Sequence, residues 1–238
     1  MKLLEEMNWP EIEAGLHQKG TVILPVGATE EHGPHLPIFT DTIQAMEVAR
    51  AAAQRTGVFV APPLHYGVCR STRGFPGTIT VSHDALRGFM QDLITSFFDS
   101  GFKAVLILTG HAGGQHMAAL EEACQKAVEE RDARVSLVSL FDLIDSSTVE
   151  TPHDGHSGEI ETSLMMQIRR DLVSGRPEGH FPKRPRYLIM KDVRHLMGNG
   201  IMGDPSKASQ EKGKEFFEMA VQGVIAALEE LESFPVKP

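Results

Sequence analysis

The chain of 238 residues has little cysteine, a single tryptophan and no long apolar run. Two cysteines, Cys69 and Cys124, are too few for a disulfide framework, so cytoplasmic residence is the simplest expectation. No apolar run reaches the length of a membrane span. Residues Met1 to Pro10 also lack the basic flank and apolar core of a secretory signal. We therefore expect neither membrane insertion nor secretion.

The chain also lacks an excess of positive charge. Its formal net charge is −9, and the one basic stretch, Lys183 to Arg186, is short and interrupted by Pro185. Non-specific nucleic-acid binding needs clustered lysine and arginine to displace counterions from phosphates. We therefore expect no nucleic-acid partner.

What the chain does contain is typical of a globular α/β protein. Hydrophobic residues make up 41% and charged residues 23%, and no Ser/Gly/Pro-rich linker divides the sequence. We therefore expect one domain over residues 1–238. Short apolar runs alternate with helical patterns, which predicts βαβ units, a mostly parallel sheet and layered α/β/α architecture. The predicted strands are Thr21 to Gly27, Val58 to Pro62, Lys103 to Leu108 and Arg134 to Leu140.

Metal-binding side chains are concentrated directly after the first predicted strand. Residues Glu30 to Asp41 contain three carboxylates and two imidazoles within twelve positions. Glu30 and His32 are two residues apart, so they point to the same side of an extended chain and can reach one ion. A lone Glu or His is usually a surface residue. The density of this cluster favours a metal site instead.

A second loop of the same kind follows the strand Lys103 to Leu108, in Thr-Gly-His-Ala-Gly-Gly at 109 to 114. Loops at the carboxyl ends of parallel strands form the ligand crevice of open α/β sheets. We therefore expect His111 to lie close to the Glu30 to Asp41 loop. A phosphate-binding glycine loop is the weaker interpretation, because neither GxGxxG nor GxxxxGK[ST] is present.

The local sequence around Asp41 has a competing explanation. Asp41-Thr42-Ile43-Gln44 fits a capping box, in which the side chain accepts a backbone N–H at the start of a helix. A carboxylate that bridges two ions uses both of its oxygens, so capping and full bridging are mutually exclusive.

Helical geometry separates two acids in the predicted helix Ser157 to Arg169. Glu161 falls within the apolar stripe of that helix, whereas Glu159 falls almost opposite and is expected to be solvated. A buried acid is costly unless it is paired, hydrogen-bonded or bound to a metal. Glu161 is therefore a candidate ligand, with pairing to an Arg or His as the alternative. His156 lies just before the helix, where a catalytic, supporting or surface role is possible.

The chemistry of this ligand set indicates its metal. Two imidazoles with three carboxylates suit Zn, Mn or Fe more than Cu(I), and are too nitrogen-rich for a dedicated Ca site. Cys69 is not required as a ligand. One carboxylate shared between two ions would give a two-metal hydrolytic centre that activates water.

Several sequence blocks, in this order, resemble the creatininase (creatinine amidohydrolase) family. They are Pro25 to Pro37 with Asp41, Phe75 to Ile79, Gly110 with His111, His156 to Ser163, and Gly203 to Pro205 with Glu211 to Gly213. The resemblance implies a layered α/β domain, a binuclear metal site, hydrolysis of cyclic or linear amide C–N bonds, and a homo-oligomer, hexameric in the family.

The resemblance also implies roles for individual residues. Glu30 and His111 match terminal ligands of one ion, His32 a ligand of the other, and Asp41 the bridge. His156 and Glu161 match a catalytic histidine and a nearby acid: proton transfer to the leaving nitrogen is assigned to His156. Ligation or orientation of water is assigned to Glu161.

Two departures from the family pattern affect these expectations. The glutamate that completes the second ion's shell in creatininase is Gly113 here, so either Glu161 or water replaces it, or a single ion binds. Creatininase also surrounds its small planar substrate with tryptophans, whereas the single tryptophan here, Trp9, is far from the motifs. Creatinine is therefore not the expected substrate.

Other activities remain as alternatives. The resemblance extends to deformylases of a formylamino-pyrimidine phosphate and to a peptidase that trims a redox-cofactor peptide. Arg70 and Arg73 precede Phe75 and could bind a phosphate or carboxylate. A non-catalytic metal- or ligand-binding module is the alternative of another class, suggested by Gly113.

Overall fold

The computed structural model describes residues 1–131, 133–183, 185 and 187–235. It contains a five-stranded sheet of order β1-β3-β2-β4-β5, in which each neighbouring pair is parallel. The strands are β1 (Lys2–Leu3), β2 (Thr21–Val26), β3 (Phe59–Val60), β4 (Ala104–Thr109) and β5 (Arg134–Ser139). The predicted α/β class with a mostly parallel sheet is confirmed. Arg184 and Arg186, in the basic stretch noted above, lie outside the described residues.

Helices cover both faces of this sheet. They are α1 (Trp9–Gln18), α2 (Thr40–Thr56), α3 (His83–Asp99), α4 (Gly114–Glu130), α5 (Glu159–Ile168) and α6 (Gln210–Ser233). Helices α2, α5 and α6 share one apolar core with the sheet. Helices α3 and α4 share another core with its opposite face, and α1 packs at the edge of that core. In the described part of the chain, no helix is long and apolar enough to cross a membrane.

The two central strands explain why the layers form. Every residue of β2 and β4 is buried, because successive side chains of a strand point to opposite faces and both faces are covered. Ile23 and Leu106 contact the α2/α6 layer, whereas Leu24 and Ile107 contact the α3/α4 layer. This alternation fixes the register of β2 against β4, so their carboxyl ends lie side by side.

Two residues near the start of α3, Ser82 and Asp84, are good N-caps, and the local sequence does not distinguish them. The helix begins at His83, and the side chain of Ser82 accepts the N–H of Ala85.

The start of α2 packs against the ends of the two central strands, at positions where glycines follow β2 and β4. A Cβ at Gly27 would overlap the backbone of Thr42, and a Cβ at Gly110 would overlap the carbonyl oxygen of Asp41. Gly110 also donates its N–H to Val26 across the strands, at 2.9 Å. Close approach of backbone to backbone is thus possible only because these positions lack side chains. It places Asp41 at the carboxyl edge of the sheet.

This packing predicts that Gly110→Ala is strongly destabilising. The added methyl must displace the start of α2, and such overpacking costs about 1–3 kcal/mol. Denaturant unfolding should show that loss. Gly88→Ala is the matched control, because a Cβ on this α3 residue meets nothing within 4 Å and a helical Gly→Ala change is neutral or stabilising. Equal stability of the two variants would contradict this account of how α2 is positioned.

Candidate metal centre

Asp41 lies between two histidines that come from different loops. Its Oδ1 is 2.9 Å from Nε2 of His32, which follows β2, and its Oδ2 is 3.2 Å from Nδ1 of His111, which follows β4. All three side chains are buried. The predicted convergence of the two loops at the carboxyl edge of the sheet is therefore what the structure contains.

The capping hypothesis for Asp41 is wrong. Helix α2 begins at Thr40, with Phe39 at the N-cap position and no side-chain cap hydrogen bond. Asp41 is the second helical residue, and its carboxylate is directed away from the helix start toward the two imidazoles. Since neither oxygen is engaged in capping, both are available to a bridging role, which stays a prediction.

Each histidine has one ring nitrogen bound to a backbone carbonyl. Nδ1 of His32 lies 3.0 Å from the carbonyl oxygen of Glu30, and Nε2 of His111 lies 3.1 Å from that of Val68. A carbonyl only accepts, so these nitrogens are the protonated ones. In the neutral rings, the other nitrogen then presents a lone pair toward carboxylate oxygens. This arrangement is repulsive unless a proton or a cation lies between them.

Two carboxylate oxygens at the same place lack hydrogen-bond partners among the described residues. They are Oε2 of Glu30, 2.9 Å from Nδ1 of His111, and Oδ2 of Asp41. The other oxygen of Glu30 accepts from the hydroxyl of Thr72, a contact that no sequence motif indicated. Burying charged oxygens without partners is costly. The donor set therefore fits a divalent cation held by Glu30, Asp41 and His111, which we term the first metal position.

A second group of candidate ligands, which we term the second metal position, lies on the other side of Asp41. Nε2 of His32 is 3.6 Å from Oε2 of Glu161, and these two residues with His156 form a group whose candidate ligand atoms lie within 4.8 Å of one another. Gly113, where the sequence lacks a glutamate, is the N-cap residue of α4 and lines the cleft beside His111. The carboxylate of this second group is therefore that of Glu161, beside His32.

The start of α5 is held by a residue that the sequence analysis missed. The carboxylate of Asp154 accepts the N–H groups of Glu159 and Ile160 at 2.8 and 2.9 Å. Burial, opposed by these hydrogen bonds, raises the pKa of Asp154 to about 6. A Cβ at Gly158 would overlap this carboxylate. In the sequence, the available signal was an acid four residues before the glycine that precedes a helix. Asp154 fixes the start of α5, the helix that carries Glu161.

The expectation that Glu159 is solvated is wrong. Its side chain is buried, accepts the N–H and the hydroxyl of Thr151 at 2.7 and 2.6 Å, and pairs with Lys212 at 2.7 Å. The periodicity of α5 reflects only the apolar residues of that helix. The opposite face is covered by the segment before α5, through Thr151, and by Lys212 of α6.

His156 is oriented with one nitrogen toward the cleft. Its Nε2 lies 2.6 Å from the carbonyl oxygen of Glu31, which makes Nε2 the protonated nitrogen, and its Nδ1 lies 4.0 Å from Oε2 of Glu30. Burial and His32 act to lower the pKa of His156, but the carboxylates of Glu30, Glu31 and Glu161 outweigh them and raise it. The imidazole therefore stands beside both metal positions with a nitrogen able to exchange a proton.

Neighbouring histidines support the site without entering it. His116 accepts the N–H of Val68 at 3.4 Å and lies 3.2 Å from the hydroxyl of Thr109, and burial together with His111 lowers its pKa to about 3. His35 is 2.8 Å from the hydroxyl of Thr162, and burial with His32 and His156 lowers its pKa to about 4. Both rings are therefore neutral and fix the loops that carry the ligands.

A cleft of about 720 Å³ opens onto the metal positions. That volume is in the range of small-molecule sites. The residues that line it and bear on the chemistry are Glu30, Arg70, His111, Gly113, His156 and Glu161.

Comparison with known proteins shows similarity to one family over nearly the whole chain. The profile of the creatinine amidohydrolase family matches residues 5–228. Creatinine amidohydrolase of Pseudomonas putida is 29% identical over 97% of this chain and 96% of its own length. The mycofactocin precursor peptide peptidase of Mycolicibacterium smegmatis is 32% identical over 85% and 81%. Solved creatininase structures include a glutamate-to-glutamine mutant of the zinc–zinc type and a manganese form. The mutant has a TM-score of 0.88 at 28% identity and covers 98% of this chain and 98% of its own. The manganese form has a TM-score of 0.88 at 27% identity and covers 98% of this chain and 99% of its own.

The pairing of histidines with carboxylates predicts an opposite pH dependence for the metal-free and metal-loaded protein. Burial acts to lower the pKa of His32, but the carboxylates of Asp41 and Glu161 raise it well above its usual value. Burial likewise acts to lower the pKa of His111, and the carboxylates of Glu30 and Asp41 raise it well above its usual value. A raised pKa stabilises the fold at pH values below the unfolded-state pKa, and this contribution is lost as pH rises through the folded-state value. The metal-free protein should therefore lose stability with rising pH.

A divalent cation replaces those protons, so its effect should grow as pH rises. The gain in Tm on adding Zn²⁺ should be larger at about pH 8.5 than at about pH 6 by at least about 3 °C, which is about 1 kcal/mol for a chain of this size. Differential scanning calorimetry of chelator-treated and reloaded protein measures it. An equal gain at both pH values would show that the cation binds elsewhere.

Proposed function

The chain belongs to the creatininase (creatinine amidohydrolase) family and is a hydrolase, and from that premise we propose that it hydrolyses a non-peptide amide C–N bond, a cyclic amide or a formamide, with a divalent metal. The observation that supports this most directly is the pair of imidazole lone pairs directed at buried carboxylates of Glu30 and Asp41. Without a cation these contacts require protonated imidazoles, whereas a divalent ion can replace the protons and use the same buried nitrogen and oxygen atoms as ligands.

We propose that Glu30, Asp41 and His111 hold one ion, and that His32, Asp41 and Glu161 hold a second. Zinc, manganese and iron suit these ligands. When bound, such an ion supplies Lewis-acid polarisation of a carbonyl oxygen and lowers the pKa of water. The hydrogen bonds from His32 to the carbonyl of Glu30, and from His111 to that of Val68, fix the ring orientations that ligation needs.

We assign proton transfer to His156. Its Nε2 is bound to the carbonyl of Glu31, so Nδ1 is the nitrogen that can take up a proton and deliver it to the leaving nitrogen of an amide. In the metal-free protein burial acts to lower the pKa of this ring, but the carboxylates of Glu30, Glu31 and Glu161 raise it, and the protonated ring is the form that a general acid requires. Glu161 orients the reacting groups by holding its carboxylate beside His32.

Creatinine itself is not the substrate that we propose. The side chain of Trp9 is 73% exposed on α1, and among the described residues that line the cleft the aromatic side chain other than histidine is Phe141. A small planar ring would therefore not be enclosed by tryptophan. A formamide of a larger molecule, as in a formylamino-pyrimidine phosphate, or a short cofactor peptide is the alternative within the family, and release of formate from added formamides tests the first.

His156→Gln should separate an enzyme from a non-catalytic binding module. An amide side chain keeps the size of the ring but cannot deliver a proton, so kcat should fall by about 10²–10⁴-fold, while metal content, measured by atomic emission, stays at the wild-type value. His153→Gln is the control, because that exposed histidine lies outside the cleft lining. Unchanged turnover in His156→Gln, or loss of bound metal with the activity, would contradict the assigned role.

Two unpaired arginines point to the charge of the substrate. Arg70 lines the cleft beside Glu30 and His111, and Arg73 lines two smaller cavities with it. Among the eleven arginines that the structure describes, these two are the ones for which no hydrogen bond or ion pair is found. In a chain with a net charge of −9, unpaired guanidinium groups at a cleft favour an anionic ligand. We propose that the substrate carries a carboxylate or phosphate that Arg70 binds.

Paired substrates test this proposal. The metal-loaded protein should prefer N-formylglycine to the neutral N-formylglycinamide, both in formate release and in thermal-shift binding. Arg70→Gln should reduce that preference about tenfold, the contribution of one charge-assisted hydrogen bond. Arg55→Gln removes the same charge from a surface pair with Glu218 and should leave the preference unchanged. A preference unaffected by Arg70→Gln would remove Arg70 from substrate recognition.

We also propose that the protein acts in the cytoplasm as a homo-oligomer, a hexamer as in the family. Both cysteines are free, which agrees with a reducing compartment. Exposed apolar side chains at Tyr187, Leu188 and Ile189 agree with a contact surface. Analytical ultracentrifugation, compared with the chain mass of 26.1 kDa, would decide the number of subunits.

A further inference from the structure

A buried thiol lies beside the first metal position. Sγ of Cys69 and the candidate ligand atoms of Glu30 and His111 all lie within 4.8 Å of one another. The residue is 1% exposed. The sequence predicts mixed ligation by oxygen and nitrogen alone, because two imidazoles and three carboxylates suffice without Cys69. The fold brings its thiol close to Glu30 and His111.

The backbone around Cys69 is fixed to the same residues that form the centre. Its own N–H donates to the hydroxyl of Thr80 at 2.9 Å. The preceding residue, Val68, accepts from Nε2 of His111 at 3.1 Å and donates to Nδ1 of His116 at 3.4 Å. The imidazole of His111 is therefore hydrogen-bonded to the residue that directly precedes Cys69.

The surroundings of Cys69 differ from those of an ordinary core cysteine. A buried cysteine usually acts as a small apolar residue, as Cys124 does on α4, where it packs at the edge of the apolar core. Cys69 instead lies within 4.8 Å of a carboxylate oxygen of Glu30, and Oε2 of that carboxylate is buried without a hydrogen-bond partner among the described residues. A thiol, an imidazole nitrogen and an unpartnered carboxylate oxygen together are a set of cation ligands.

We propose that Cys69 is a ligand of the ion at the first metal position, alongside Glu30, Asp41 and His111. The proposal depends on the metal centre described above. On binding, a sulfur–metal bond forms and the thiol proton is released to solvent, with no change in oxidation state. One thiolate makes the position softer than a carboxylate–imidazole site, so it selects zinc over manganese, which prefers oxygen ligands.

Cobalt substitution tests the bond directly. Co²⁺-loaded wild-type protein and Cys124→Ser should both show a sulfur-to-cobalt charge-transfer band in the near ultraviolet, together with visible ligand-field bands. In Cys124→Ser the thiol of Cys69 is the sole remaining one, so a band there assigns the ligand without altering the site. Cys69→Ser should keep the visible bands and lose the charge-transfer band. Visible bands without a charge-transfer band in Cys124→Ser would overturn the proposal and leave the metal centre intact.

Metal selectivity provides a second readout. Competition between Zn²⁺ and Mn²⁺, followed by equilibrium dialysis, should show a zinc preference that falls at least about tenfold in Cys69→Ser, as a soft ligand is replaced by a hard one. Cys124→Ser should match the wild type. An unchanged preference in Cys69→Ser would overturn the proposal. Failure of all three proteins to bind any of these ions would instead contradict the metal centre itself.

Discussion

The candidate site depends on one carboxylate held between two imidazoles. Asp41 is the second residue of α2, and it reaches His32 and His111 only because α2 begins directly against the ends of β2 and β4. Two glycines remove the side chains that would block this approach. Loss of the Asp41 carboxylate would leave His32 and His111, which come from separate loops, without a common partner. The same contact therefore joins the two loops and assembles the candidate site.

Much of the fold was predictable from the sequence because the relevant signals are local. Fully buried parallel strands give continuous apolar runs, as in β2 and β4, and loops after such strands form the ligand crevice. The convergence of Glu30, His32, Asp41 and His111 followed from that rule. The metal-ligand and catalytic roles assigned to these residues, to His156 and to Glu161 remain predictions, because proximity alone does not test them.

The errors have a common physical cause. The solvated state expected for Glu159 and the cap considered for Asp41 were both inferred from residues of the same helix. Each side chain is instead engaged by a distant partner, Lys212 for Glu159 and the two histidines for Asp41. Rules of helical periodicity and capping describe neighbours within about one turn, and cannot show what packs from outside.

The order of the strands has a consequence for how the site is built during folding. β2 and β4 are adjacent in the sheet but separated in sequence by α2, β3 and α3, and Glu161 comes from a still later segment. Contacts between such remote parts of a chain form slowly, since loop closure must precede them. A partly folded chain therefore does not yet hold the side chains of the two loops and Glu161 together. The donor set of the candidate centre is complete only once the tertiary structure has formed.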